Sequence, residues 1–107
     1  METSRVDVTK RIAASPEVIA DFCRRHRIRR LSLFGSILRE DFRPESDVDV
    51  LVEFEPEAIP GIFDFIGMEL ELSELFRRKV DFLTAGFLSR YFRENVLREA
   101  LPLHVAA

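Results

Sequence analysis

Ten residues separate Gly35-Ser36 from Asp47, and Asp47-Val48-Asp49 sets two carboxylates two positions apart. A third acid, Asp81, lies inside the short apolar run Lys79-Val80-Asp81-Phe82-Leu83. Gly35 has no Cβ, so a backbone can approach a phosphate closely there and take turn dihedrals closed to other residues. Ser36 adds a hydroxyl, and the free N–H groups of a following helical turn favour an anion at the same place. Alternate residues of a strand leave the same face, so Asp47 and Asp49 project together, about 6.5–7 Å apart along the backbone. Carboxylates so spaced suit Mg²⁺, which takes hard oxygen ligands and keeps waters and substrate phosphates in its shell. Two such ions can hold the attacking and the leaving oxygen of an in-line displacement. Asp81 faces the same space if Val80 and Phe82 face the core, as a metal ligand or as the base for an attacking hydroxyl. Each part alone has a plainer reading: a turn, a solvated strand face, an exposed strand acid. Together they are what divalent-metal chemistry on a nucleoside triphosphate needs.

The elements that must position these groups can be read from patterning. Ser15-Pro16-Glu17 is a helix start, with a capping hydroxyl, a proline suited to the first turn and an acid at the positive end. Val18, Ile19, Phe22 and Cys23 follow at helical spacing and predict a helix near 16–26. Leu31-Ser32-Leu33-Phe34 is a short strand ending at Gly35, and Ser36 to Asp41 allows one or two helical turns before a loop through Phe42-Arg43-Pro44-Glu45-Ser46. From Asp47, acids alternate with Val48, Val50, Val52 and Phe54, predicting a strand with one buried face. Phe63, Ile66, Leu70 and Phe76, with Phe65, Leu72 and Leu75 nearby, predict a helix near 63–76. A strand follows over Lys79–Leu83, then a last helix near 87–100 whose stripe includes Tyr91 as a core residue. Residues 1–14 are only weakly patterned. The plan is α+β (α/β-like), with a three-stranded mixed sheet covered mainly on one face by helices.

At 107 residues the chain is expected to be one domain, 1–107, that buries roughly two-thirds of its unfolded surface. The 47% hydrophobic content, with ten Phe and no Trp, supports an ordered core. A net charge of −3 gives no general attraction to nucleic acid, and direct nucleic-acid binding is not expected. The single Cys23 cannot form an internal disulfide, which fits a reducing compartment. Neither a signal peptide nor an apolar run of about 20 residues is visible, so a cytoplasmic protein without a membrane span is expected.

Leu33-Phe34-Gly35-Ser36-Ile37-Leu38-Arg39-Glu40-Asp41, followed by Pro44-Glu45-Ser46-Asp47-Val48-Asp49-Val50-Leu51-Val52, resembles the signature of the DNA polymerase beta-like nucleotidyltransferase superfamily. The resemblance is to its minimal (MNT) branch, stand-alone domains that are often the antitoxin beside a HEPN-domain ribonuclease toxin. It covers about residues 15–100, and Asp81 sits where the third carboxylate belongs. The resemblance implies the nucleotidyltransferase fold, with Gly35 and Ser36 on the triphosphate of ATP and Asp47, Asp49 and Asp81 as catalytic acids and Mg²⁺ ligands. It implies transfer of AMP to a tyrosine hydroxyl of the toxin. Arg39 matches a basic position common in this branch; it can touch phosphate, or pair with Glu40 or Asp41. Two other readings stand beside this one: an antitoxin that masks its toxin without catalysis, and adenylylation of a small molecule or an RNA end.

Other features carry less. The basic runs Arg24-Arg25-His26-Arg27, Arg29-Arg30 and Arg77-Arg78-Lys79 read as solvated helix ends before they read as nucleic-acid contacts. His26 and His104 lack neighbours at zinc-ligand spacing. Phe87, Phe92, Leu101 and Leu103 are more apolar surface than a three-stranded domain can bury, and predict a homo- or hetero-oligomeric interface.

Overall fold

The structure, a computed structural model, describes residues 10–39, 43 and 45–106, without the side chain of Phe87. The lead-in through residue 9, part of the loop expected at 42–46, and the Glu40 and Asp41 partners considered for Arg39 lie outside them.

Helix α1 (Pro16–Arg25) starts where Ser15 and Pro16 place it: the Ser15 hydroxyl accepts from the Val18 N–H at 3.3 Å. It buries Ile19, Phe22 and Cys23 and leads into strand β1 (Ile28–Phe34). β1 begins three residues earlier than Leu31 because Ile28, Arg29 and Arg30 continue its pairing, Arg30 opposite Glu53 and Ile28 opposite Phe54, across an irregularity. A single 3₁₀ turn, Gly35–Leu38, follows, the shorter of the one or two turns expected there. Strand β2 (Val48–Phe54) runs antiparallel to β1, and helix α2 (Ile62–Phe76) carries the chain over to β3 (Val80–Leu83), parallel to β2. A short 3₁₀ turn at Ala85–Phe87 precedes helix α3 (Arg90–Glu99), so the helix expected near 87–100 begins at Arg90 instead.

Among the described residues the sheet has four strands rather than three, in the order β3-β2-β1-β4. The added strand is β4 (Leu101–Val105), antiparallel to β1, with Leu33 opposite Leu101 and Ser32 opposite Pro102. Proline lacks a ladder donor and is tolerated at a sheet edge, which is where Pro102 lies. Leu101 and Leu103, expected to be surplus, pack against the core.

That core lies between one sheet face and the helices α1 and α2. Leu31, Leu33, Val48, Val50, Val52, Val80 and Phe82 meet Phe22, Met68, Leu72 and Phe76 there. Phe82 packs against Phe22, Phe54 and Phe65 with ring centroids 5.1–6.5 Å apart. α2 is turned from the expected stripe: Met68, Leu72 and Phe76 are buried, whereas Ile62, Phe63, Ile66 and Leu70 are exposed. α3 buries no residue, and Tyr91, expected in the core, is 83% exposed. The α3 stripe has only the second sheet face to lie on, and that face carries the acids.

Candidate active site

Pairing register decides which side chains share this second face. Asp49 lies opposite Phe34 on β1 and opposite Asp81 on β3, so all three project the same way from neighbouring strands. Asp47 leads into β2, where the Val48 N–H donates to the Lys79 carbonyl at 2.9 Å and pins the two strand starts together. β1 is antiparallel to β2, so its end, Phe34-Gly35, arrives at the same sheet edge at which β2 and β3 begin. One sheet edge therefore gathers Gly35, Ser36, Asp47, Asp49 and Asp81.

Gly35 meets Asp49 directly. Its φ is +77°, in the left-handed region, and a Cβ built there would lie 2.2 Å from the Asp49 carboxylate oxygen Oδ2. Both the backbone conformation and the space demand glycine. The turn after it is held from outside: Arg11 donates to the Ile37 carbonyl at 2.7 Å and to the Arg39 carbonyl. The Arg39 N–H closes the 3₁₀ turn on the Ser36 carbonyl at 2.9 Å.

The charges interact as this geometry requires. Burial pushes the Asp49 carboxyl above its ordinary range, the negative charges of Asp81 and then Asp47 push it further, and Arg39 opposes them. The three acids and Arg39 are thus one electrostatic group. Lys79 stands 4.0 Å from Asp47, with both side chains well exposed, so that pair adds little stability. Among the described residues, no three Asp, Glu, His or Cys side chains are close enough together to cage one ion. Asp47 and Asp49 alone could hold Mg²⁺, which takes one or two carboxylates and completes its shell with water and phosphate oxygens.

Besides Arg11, two residues that position the site were missed from sequence, Glu69 and Ser73. β3 is an edge strand, and its outer N–H groups are taken by side chains of α2. The Ser73 hydroxyl accepts from the Val80 N–H at 3.0 Å, and the Glu69 carboxylate accepts from the Phe82 N–H at 2.9 Å. These two bonds bracket Asp81. Glu69 and Ser73 share a helix face at i, i+4, but nothing in that spacing reveals which strand they meet. His26 serves packing and α1: it lies against Phe22, with Nε2 2.8 Å from Glu71.

Comparison with known proteins agrees with this arrangement. Residues 16–104 match the nucleotidyltransferase domain family. The chain is 36% identical over 74 residues to the protein adenylyltransferase MntA of Thermococcus cleftensis, covering 69% of this chain and 73% of the relative. A solved structure assigned as a minimal nucleotidyltransferase superposes with a TM-score of 0.68 at 37% identity, over 81% of this chain and 87% of that one. Two toxin–antitoxin structures share the fold at lower identity. One, with AMP-PNP, gives a TM-score of 0.69 at 17% identity over 86% of this chain and 74% of that one. The other, MntA-HepT, gives 0.61 at 16% identity over 85% and 70%. With four-fifths of its length inside the family match and the Gly-Ser turn set against its acids, the chain belongs to the nucleotidyltransferase domain family.

Proposed function

We propose that this chain is a single-domain, Mg²⁺-dependent adenylyltransferase, an antitoxin that transfers AMP from ATP to a hydroxyl of a partner toxin. The observation that carries the reading is the contact between the Gly35 backbone and the Asp49 carboxylate, which no side chain at position 35 would permit. It sets the Gly35-Ser36 turn against Asp49, which supports reading the turn as a phosphate site beside metal-binding acids. The relative named protein adenylyltransferase supports the reaction class, and the toxin–antitoxin neighbours support the partner and the nucleotide. A HEPN-type toxin with a tyrosine acceptor is the finer form of the same proposal.

In this mechanism the Gly35 and Ser36 N–H groups and the Ser36 hydroxyl hold the β- and γ-phosphates, and Arg39 adds positive charge beside them. Asp47 and Asp49 would hold Mg²⁺, which would supply neutralisation of the phosphate charge. The acceptor oxygen forms a bond to the α-phosphorus as the bond to the β-phosphate oxygen breaks, and pyrophosphate leaves. Asp81, beside Asp49 in the sheet, takes the hydroxyl proton.

A second reading has an observation of its own. Ile62, Phe63, Ile66 and Leu70 form an exposed apolar stripe on α2, and such patches mark interfaces. An antitoxin that only covers its toxin could work through that surface. Co-expression with the protein encoded beside its gene separates the two. Asp49→Ala abolishes growth rescue if neutralisation is catalytic and leaves rescue intact if masking suffices.

A further inference from the structure

Helix α3 stands over the same sheet face as the acids and gives nothing to the core. Its place is set from both ends. Ser89 caps its start by accepting from the Tyr91 N–H, and its last turn runs directly into β4, where Leu101 pairs with Leu33. Between this helix and the Gly35 turn lies a cavity of about 550 Å³, walled by Gly35 and Arg39 on one side and by Phe92, Asn95, Val96 and Glu99 on the other. Those four positions follow i, i+3, i+4, i+7 and so form one helix face. The face holds an aromatic ring that is 64% exposed, then an amide, then a carboxylate.

We propose that this cavity binds the nucleoside half of the donor, with adenine stacked on Phe92, Asn95 reading the base edge and Glu99 accepting from the ribose hydroxyls. The proposal rests on the reading that Gly35 and Ser36 hold the triphosphate. Phosphates and nucleoside are covalently continuous, so the nucleoside must lie against a wall that adjoins that turn. The other cavity on this face, about 450 Å³ and lined by Leu51, Thr84, Leu97 and Pro102 among others, includes no residue of the turn. The volume beside Gly35 falls in the range of small-molecule sites. Each side chain matches a part of the ligand. Ring faces bind bases by stacking, an amide offers the donor and acceptor that adenine N7 and N6 require, and a carboxylate accepts from hydroxyls. Arg98 donates to the Asn95 side-chain oxygen at 3.3 Å, which leaves that oxygen a second lone pair for a ligand beside the amide N–H groups.

Calorimetric titration of the full chain with ATP, GTP and inorganic tripolyphosphate, each with Mg²⁺, tests this. Phe92→Ala should weaken ATP binding about tenfold and leave tripolyphosphate binding unchanged. Asn95→Ala should reduce the preference for ATP over GTP by a similar factor. Both side chains are exposed, so the variants should fold, which circular dichroism checks. If wild type binds tripolyphosphate and ATP, but both variants match it on every ligand, the nucleoside lies elsewhere and the inference fails while the function stands. If wild type binds neither ATP nor tripolyphosphate, the functional reading fails and takes the inference with it.

Discussion

Gly35 is the residue at which sequence and chemistry meet most closely. Substitution by Ala would strain a backbone at φ +77° and drive a methyl group into the Asp49 carboxylate. A left-handed non-glycine residue costs about 1–2 kcal/mol, and a misplacement of about 1 Å at a reacting centre costs about 100-fold in rate. Gly35→Ala should therefore lower the single-turnover rate of AMP transfer far more than it lowers the urea midpoint; a fully active variant would break the proposed link between turn and acid. Cys23 gives a second expectation. Burial pushes its thiol up to about 12, with the nearby Arg24 charge opposing. Its folded-state pKa is raised, so the stability of the buried neutral thiol is present below the unfolded value, about 8.5, and is lost as pH rises toward 12. Dithionitrobenzoate at pH 8 should react with Cys23 only after unfolding; rapid labelling of the native chain would contradict this burial. The Gly-Ser and Asp-x-Asp spacing was legible because both groups sit at strand ends, where a few residues determine direction. Their contact was not, because it depends on how β1 and β2 pair.

The elements around the site hold it by bonds that sequence periodicity does not display. Glu69 and Ser73 fasten α2 to the outer edge of β3, and a buried N–H left unpaired costs about 1–3 kcal/mol. Ser73→Ala should destabilise the chain by that order, and should reduce kcat with little change in KM for ATP because it loosens the strand carrying Asp81. A rise in KM alone would place Ser73 outside this role. The junction of α1 and α2 has a pH signature. Glu71 accepts from Arg25 and meets His26, and these bonds, the Arg25 bond foremost, hold its carboxyl below the ordinary range against the cost of burial. Its folded-state pKa is lowered, so its contribution is present above the unfolded value, about 4.3, and is lost as pH falls through the lower folded value. Glu71→Gln should flatten the decline of Tm below about pH 4 while changing neutral-pH stability by no more than about 1 kcal/mol, as these side chains are partly exposed to solvent. An unchanged acid limb would mean that Glu71 carries no such linkage. The start of α1 was legible from the Ser15 cap and Pro16, whereas the Ser89 cap that starts α3 was not recognised. Which face α2 buries was not, since apolar residues occupy both of its sides and only the sheet decides between them.

For the molecule as a whole, the largest difference from the sequence reading is β4. Leu-Pro-Leu-His-Val carries a proline, follows a helix directly and pairs with β1, some 70 positions earlier, so no local pattern marks it as a strand. Its presence accounts for Leu101 and Leu103, and it anchors α3 over the acidic face. A chain ending at Ala100 should leave the β1 edge unpaired, unfold at lower urea concentration and lose nucleotide binding; retained stability would show β4 to be dispensable. None of the helices is long and apolar enough to cross a membrane among the described residues. The central claim joins the whole molecule to a partner, and label transfer tests it most directly. The purified chain is incubated with α-labelled ATP, Mg²⁺ and the protein encoded beside its gene, with an Asp47→Ala/Asp49→Ala chain as control. Label on the neighbouring protein that disappears with the control is the predicted result. A tight complex that gains no label from the wild-type chain would contradict it.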